Sequence, residues 1–555
     1  MQSEHIDVHQ LTKPAGLGKA FRFGEGNNAH IGDKCALLQG CVLLLAAPLS
    51  TLRNDPHHFV EERVERWLQR GSHYFDRMEL SQLTDEWTYR GEGNASLVIA
   101  SKDENFVYHL PKQSVDEGKN NENQSGDSDD NLEKFLEYKL DYIENVMMPL
   151  IGQEYVCHRE LVEISKDFLQ QVHQRFQHMR PKSRLSTKVN CNCRFAVKSP
   201  DFCQLLDQNS EDDTTFCVEI KPKCGFLPVS DLISEDNSIK KSVCRFCMHQ
   251  RLKVKEGKWT ELSNYCPVDL FSGNSSSMFY ALTALLSNPQ NNLRIFKDGS
   301  LLYGCCNKQP PCKDDCIRLI NRLKPHFGNS DDVDETIATS SAVQALKDVI
   351  IAVLLSTSVD TDVHEPQQDR KRMKTETPKY KKCSASAFKP QQEFKGDTVC
   401  CLPEGCILHS LLQVQKLDGL SIEGIHLCYL RLQRHFMENP SDRKKWKLDG
   451  PYSEGFLSKC SCDVPDSFRD DVQKVNEYLV SKTAKDCSIM IALQTVKENT
   501  PLKMSFVEDR FGHKFYYKIQ LADLDPKPFD RIPKYYEQDK EIVDSFMKET
   551  SKGRM

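Results

Sequence analysis

Short apolar runs with a period of two open the organised part of the chain. "WTYRGEGNASLVIAS" (Trp87–Ser101) and then "NFVYHLP" (Asn105–Pro111) predict a strand, a Gly-rich turn and two further strands. The period then changes. Apolar residues at Leu132, Phe135, Leu136, Leu140 and Ile143 predict a helical region over 131–178. "FCVEIKP" (Phe216–Pro222) reads as a buried strand. Alternation along it places Glu219, Lys221 and Lys223 on one face, opposite Val218 and Ile220. "FYALTALLSN" from Phe279 and the stretch Val343–Leu355 predict helices, with more helix through 405–438. "CSIMIAL" (Cys487–Leu493) predicts a strand, "KFYYKIQLADLDPKP" (Lys514–Pro528) a strand ending in acids, and "DKEIVDSFMKE" (Asp539–Glu549) a helix. There is no internal repeat.

The polar stretches set the boundaries. Residues 1–77 carry no motif and are expected to be a weakly ordered extension, with the natural start nearer Met78. "EGKNNENQSGDSDD" (Glu117–Asp130) is acidic and poor in apolar residues, and predicts a disordered insert over about 113–130. Residues 357–399 predict a flexible loop. This loop contains "RKRMKTETPKYKK" (Arg370–Lys382), either a solvated tract or a nuclear import signal.

Composition narrows the class. The chain has 555 residues, 39% hydrophobic and 28% charged, which suits a soluble globular protein of two to four domains. A net charge of −6 argues against a surface that coats nucleic acid, so any anion site must be local. The 23 cysteines are scattered and no signal peptide stands at the N-terminus, so free thiols in a reducing cytosol or nucleus are expected. The longest apolar run, Cys35–Ser50, falls short of the ~20 residues of a spanning helix. No membrane partner is expected.

Candidate chemistry lies in three kinds of residue. Gly91, Gly93, Asn94, Ala95 and Ser96 form a small-residue turn between strands, where backbone N–H groups can approach phosphate oxygens; taken alone, a plain hairpin turn is the default explanation. Asp486 just before one strand, and Asp523 and Asp525 just after another, could supply the carboxylates of phosphoryl transfer, although acids at strand ends are also ordinary turn residues. Cations recur in stripes. Arg245, His249 and Lys253 share one helical face, Asn291, Asn292 and Arg294 cluster, and Lys527, Arg531 and Tyr535 continue from Asp523 in steps of four. Cys244 and Cys247 form a CxxC whose candidate zinc partners are Cys191, Cys193, Cys224 and Cys266; "CCLPEGCILH" (Cys400–His409) is a looser cluster. Buried structural thiols explain both.

"GEGNASLV", "EIKPKCGF", "MHQRLKV", "PVDLFSGN", "PQNNLRIF", "KDCSIMIAL" and "DLDPKP", in this order, resemble the inositol-pentakisphosphate 2-kinases of animal type. The resemblance runs from about Trp87 to about Lys552, differs in length at 113–130 and 357–399, and leaves 1–77 uncovered.

The resemblance implies an α/β fold, mixed α+β, two-lobed and kinase-like with ATP between the lobes. The lobes are expected at 78–225 and 226–555. It implies transfer of the γ-phosphate of ATP to the 2-hydroxyl of inositol 1,3,4,5,6-pentakisphosphate, giving inositol hexakisphosphate (phytate). Gly91, Gly93, Asn94, Ala95, Ser96, Glu219 and Arg294 are then expected at ATP, with His109 where the family usually carries an arginine. Lys221 would touch the transferred phosphate, Asp486 the 2-hydroxyl, and Asp523 would hold Mg²⁺, with Asp486 a second candidate ligand. Arg184, Lys223, Arg245, His249, Lys253, Asn291, Asn292, Lys527, Arg531 and Tyr535 would line the substrate pocket. The structural zinc that plant members bind before the Asp-Cys-Ser-Ile motif has no matching His and Cys here, so zinc is left open. A monomer, cytoplasmic and nuclear, is expected. Five phosphate monoesters carry roughly −8 to −10 in all, so many fixed cations must meet at one spot. The rival reading is a non-catalytic inositol phosphate or nucleic-acid binder, which needs the cations but neither the paired acids nor the lid.

Overall fold

The computed structural model describes residues 83–552 apart from 85, 102–104, 115–126, 206–213, 305–308, 329–335, 358–401, 459–462 and 498–503. The expected extension 1–77, most of the expected 357–399 loop with its basic tract, and the apolar run Cys35–Ser50 lie outside the described residues.

Two antiparallel sheets and a set of helices make up the described chain, a mixed α/β architecture. The first sheet contains β1 (Trp87–Glu92), β2 (Ser96–Ser101), β3 (Phe106–Ser114), β4 (Glu160–Glu163), β5 (Thr187–Val189) and β6 (Phe195–Pro200). Its order is β1-β2-β3-β6-β4, with β5 added to β3. Helix α1 (Asp127–Tyr142) precedes β4, and α2 (Lys166–Phe176) lays Phe168, Leu169, Val172 and Phe176 against Leu97, Ile99, Tyr108 and Leu110. Ser165 caps α2 by accepting from Phe168 N at 3.1 Å.

The second sheet has the order β11-β12-β10-β7-β8-β9. Its strands are β7 (Thr215–Ile220), β8 (Leu293–Lys297), β9 (Ser300–Tyr303), β10 (Ser488–Thr495), β11 (Phe506–Glu508) and β12 (Lys514–Ala522). Alternation assigns its two faces. Phe216, Val218, Ile220, Ile489, Ile491 and Leu493 enter the large helical core, whereas Cys217, Met490 and Phe296 pack in a small cluster with Cys203. Glu219 follows Cys217 onto this second face.

Helices α3 (Arg245–Lys255), α4 (Ser275–Ser287), α5 (Lys313–Phe327), α6 (Ser341–Leu355), α7 (Ile407–Gln415), α8 (Ser421–Glu438), α9 (Asp466–Ala484) and α10 (Ile532–Lys552) complete the fold. α4, α5, α6 and α7 bury their apolar residues in the main core. α8 and α9 share a separate core with Phe529 and Ile532, and α3 packs Met248 and Leu252 on Ile542, Val543 and Phe546 of α10.

Four sequence expectations need correction. The helical period over 131–178 is broken by a π-turn at Ile143–Met147, a one-turn helix at Met148–Ile151 and the strand β4. Apolar residues there face two cores in turn, so one period cannot describe them. The insert is shorter than 113–130, because β3 reaches Ser114 and α1 starts at Asp127. The strand carrying Glu219 stops at Ile220, and Lys223 adopts φ +62°. Pro222 offers no N–H to continue the ladder. Finally, the four-residue steps from Asp523 do not lie on one helix. Asp523 has φ +61°, Arg531 ends the 3₁₀ turn Phe529–Arg531, and α10 begins only at Ile532.

Candidate active site

Strand register builds the site. Ile220 pairs with Ile489, and Ser488 pairs with Ala522. The end of β7, the start of β10 and the end of β12 therefore share one edge, and Lys221, Asp486 and Asp523 leave the sheet side by side. Lys221 N donates to Asn292 O at 2.8 Å, which adds the segment before β8 to this edge.

The acids meet the lysines here. Lys221 Nζ donates to Asp523 Oδ2 and lies 3.8 Å from Glu219 Oε1. Asp486 receives Lys223 Nζ at 3.2 Å and Lys527 Nζ at 3.3 Å. Both aspartate side chains remain more than half exposed, at 57% and 55%, so a ligand can reach them. Burial works against their charge, yet the adjacent lysines win. Lys221 and Ser488 hold Asp523 below its ordinary value, and Lys223 and Lys527 hold Asp486 well below the usual carboxylate range. Lys221 is correspondingly raised: burial pushes it down, and Asp523 and Glu219 outweigh burial.

Glu219 is 8% exposed and fully engaged. Arg294 Nη1 donates to it at 3.2 Å across the β7–β8 register, and Ser488 Oγ lies 2.9 Å from Glu219 and 3.1 Å from Asp523. The single hydroxyl proton of Ser488 serves one of these carboxylates at a time. Asn292 is 2% exposed, and its Oδ1 has no hydrogen-bond partner; Asn291 is half-buried beside it.

A second wall carries cations. α3 places Arg245, His249 and Lys253 on one face, as their spacing predicts. The Arg245 guanidinium donates to Asp539 Oδ1 at 2.9 Å and to Gln538 Oε1 at 3.2 Å. Burial, followed by the charges of Lys223 and Arg245, pulls Lys253 down to about 8. Burial, Lys253 and Arg245 pull His249 down to about 3. Lys253 thus feels the charges of Lys223 and Arg245, and His249 those of Lys253 and Arg245. Tyr535 of α10 joins them. Burial raises its phenol, the charge of Arg531 opposes this, and Asp486 adds to it. Arg531 itself is exposed.

The Gly-rich turn closes the hairpin of β1 and β2, with a register shift at Tyr89/Gly91. Gly93 N donates to Ser96 O at 2.9 Å, and a Cβ at Gly91 or Gly93 would meet nothing within 4 Å. The turn is open to a ligand and braced from behind. Glu92 accepts from Lys112 at 2.6 Å and from Arg180 at 2.8 and 2.9 Å, and Lys112 also reaches Gly93 O at 2.6 Å. Arg184, expected at the substrate, donates to Asn94 Oδ1 and so sits on this turn. His109 on β3 lies 3.0 Å from Ser199 Oγ. Burial and Arg159 lower it to about 4, while the charges of Asp525 and Asp523 pull the other way, so His109 is neutral at physiological pH.

Several contributing residues escaped the sequence reading. Gln415 of α7 is fully buried and clamps the lysine loop, donating to Lys223 O and Ala484 O and accepting from Gly225 N. Tyr265 Oη donates to Pro222 O at 2.8 Å. Gly225 must be glycine, since a Cβ there would lie 2.3 Å from the Phe271 ring. Lys482 on α9 stands one turn before Asp486, a step of four that the stripe search could have found.

Among the candidate zinc partners, the structure selects one. Cys244, Cys247 and Cys266 bring their sulfurs within 4.8 Å of one another, and no other such group of potential ligands occurs among the described residues. Hydrogen bonds from the other two thiols lower Cys266, and Cys244 is raised. Three thiols are three corners of the tetrahedral sulfur set that Zn²⁺ prefers. Cys406, from the looser cluster, instead caps α7 by accepting from His409 N.

Comparison with known proteins gives a consistent result. The sequence model of a family described as inositol-pentakisphosphate 2-kinase matches residues 89–541. A Danio rerio inositol-pentakisphosphate 2-kinase is 36% identical over 484 residues, covering 85% of this chain and 95% of that protein. An Arabidopsis thaliana inositol-pentakisphosphate 2-kinase is 30% identical over 485 residues, covering 82% and 92%. Inositol-pentakisphosphate 2-kinase IPK1 of Oryza sativa subsp. indica is 28% identical over 489 residues, covering 84% and 95%.

Proposed function

The chain belongs to the inositol-pentakisphosphate 2-kinase family, and from that premise we propose that it transfers the γ-phosphoryl group of ATP to the 2-hydroxyl of inositol 1,3,4,5,6-pentakisphosphate, giving inositol hexakisphosphate and ADP. The observation that carries this reading is the meeting of two ionised carboxylates, Asp486 and Asp523, with Lys221, Lys223 and Lys527 on one sheet edge beside the Arg245–Lys253 wall. A binding protein would need the cations alone, and it would gain nothing from two exposed aspartates in an anion pocket.

Phosphoryl transfer requires little covalent work from the protein; positioning and charge stabilisation carry it. The Gly91–Ser96 turn, braced through Glu92, covers the ATP phosphates, with Arg294 and His109 on the nucleotide side. Lys223, Arg245, Lys253, Lys527 and Arg531 hold the substrate phosphates, and Arg245 adds the fork geometry that lysine lacks. Lys221 neutralises charge on the phosphoryl group in transit. The hydroxyl oxygen forms the new P–O bond as the bond to the ADP oxygen breaks, and the hydroxyl proton passes to a phosphate oxygen or to water. Asp486 binds protons weakly, which favours orienting the hydroxyl over storing its proton. Mg²⁺, when bound, supplies charge neutralisation on the phosphates, and Asp523 with Asp486 offers the hard oxygen donors it takes. A zinc at Cys244, Cys247 and Cys266 would have a structural role, fixing the start of α3. A nuclear as well as cytoplasmic location rests on the Arg370–Lys382 tract; a reporter fused to that tract tests it. No helix among the described residues is long and apolar enough to cross a membrane.

A panel of inositol phosphates offered with ATP tests the proposal. Phosphorylation of the pentakisphosphate at its 2-hydroxyl is expected. ATP-dependent phosphorylation of a different hydroxyl or a different ring would refute it.

A further inference from the structure

Lys482 belongs to none of the roles above, and its surroundings are unusual for a lysine. It lies in the last turn of α9, a helix packed on α7 and α8, with its ammonium directed at Tyr535 of α10. Among the described residues no carboxylate forms an ion pair with its ammonium, which stands over the face of Tyr535, 4.7 Å from the ring centroid. The groups that bear on it come from every side. Arg245 approaches from α3, Asp539 and Tyr535 from α10, and Lys485 and Asp486 from its own segment. His249 on α3 feels Lys482 in turn. The nearby acids are already taken: Asp539 is bonded to Arg245 and Lys240, Asp486 to Lys223 and Lys527.

A buried ammonium without a paired anion is costly. Burial and its cationic neighbours accordingly pull Lys482 down to about 7. A protein that needed only the aliphatic stem here would be served by leucine or methionine. A lysine held at this spot, in a ring of cations whose carboxylates are all occupied, lacks only an anion.

We propose that Lys482 is a substrate-binding residue that contacts a phosphate of the inositol polyphosphate and takes up a proton as that phosphate arrives. This rests on the functional reading above and adds a residue to it. The step balances simply: the amine accepts one proton from the buffered solvent, and the resulting ammonium pairs with the phosphate oxygen. Binding is then strongest where the free lysine is already charged. It weakens as pH rises above the free value, through the range in which each binding event must recruit a proton.

The test is calorimetric titration of inositol 1,3,4,5,6-pentakisphosphate into the full chain at pH 8, in two buffers of different ionisation enthalpy. Wild type, Lys482→Met and Lys482→Arg are compared. The wild type is expected to take up protons on binding. Lys482→Met should bind roughly 10- to 100-fold more weakly, as for a lost charge-assisted hydrogen bond, and take up fewer protons. Lys482→Arg should recover most of the affinity with the same reduced uptake, because arginine is charged throughout. Wild-type affinity and wild-type uptake in Lys482→Met would overturn the proposal. If Lys482→Met does not fold, unchanged uptake in Lys482→Arg overturns it. A wild type that binds no pentakisphosphate at all would instead refute the functional reading, and this assignment with it.

Discussion

Gln415 Nε2 donates a 2.8 Å hydrogen bond to the carbonyl oxygen of Lys223, while its Oε1 accepts from Gly225 N at 2.8 Å. A buried amide on α7 thus fixes the loop that aims Lys223 at Asp486. Gln415→Leu should leave these two backbone groups and Ala484 O, which the same Nε2 also bonds at 3.1 Å, unpaired, at about 1–3 kcal/mol each. A fall in denaturant midpoint together with a raised KM for the pentakisphosphate, and a smaller change in kcat, is expected. Unchanged KM in a destabilised variant would separate Gln415 from the site.

The two carboxylates should be indispensable to turnover and dispensable to the fold. Asp523→Ala and Asp486→Asn remove half-exposed side chains. Each should lower kcat by at least about 10²-fold, the scale of one lost positioned catalytic group, with a far-ultraviolet circular dichroism spectrum like that of the wild type. Full activity in either variant would remove that residue from the mechanism.

Arg245 and Asp539 offer a paired comparison. Asp539 also bonds Lys240, whose side chain is only 6% exposed, at 2.7 Å. Lys240 also pairs with Glu423 at 3.1 Å, so Asp539→Asn removes one of the two carboxylates that hold this ammonium and should cost about 1–3 kcal/mol. Arg245→Ala removes only the outward partner. It should weaken substrate binding with little change in melting temperature. Equal losses of stability in the two variants would contradict this division.

Lys253 predicts a stability profile. Its folded value of about 8 lies below the roughly 10.4 of an unfolded lysine. The folded state therefore binds fewer protons between those values, and stability without ligand should rise with pH from about 8 to about 10. Lys253→Met should flatten that part of the wild-type curve. Thermal melts of both proteins across this interval check it, and parallel curves would contradict the assignment.

The elements that could be read from sequence were those that keep one period from end to end. β7, β10, α4 and α6 each follow one period, and each appeared where that period placed it. The region 131–178 failed because its apolar residues serve different cores on either side of β4. The α3 stripe was legible because Arg245, His249 and Lys253 lie on one regular helix. The steps from Asp523 to Tyr535 had the same spacing without the helix, since Asp523 and Arg531 belong to a loop and a 3₁₀ turn. Gln415 and Asp539 are both buried, and each acts on the site from more than a hundred residues away. A lone polar letter in an apolar helix gives no sign of its partner, so only the folded chain reveals them.

The central claim is that the cation wall and the carboxylate pair form one phosphoryl-transfer site. Its most direct test is transfer of labelled γ-phosphate from ATP to inositol 1,3,4,5,6-pentakisphosphate by the purified chain, run beside Asp523→Ala. The account predicts labelled inositol hexakisphosphate from the wild type and none above background from the variant. Equal labelling by both proteins, or none by a folded wild type, would contradict it.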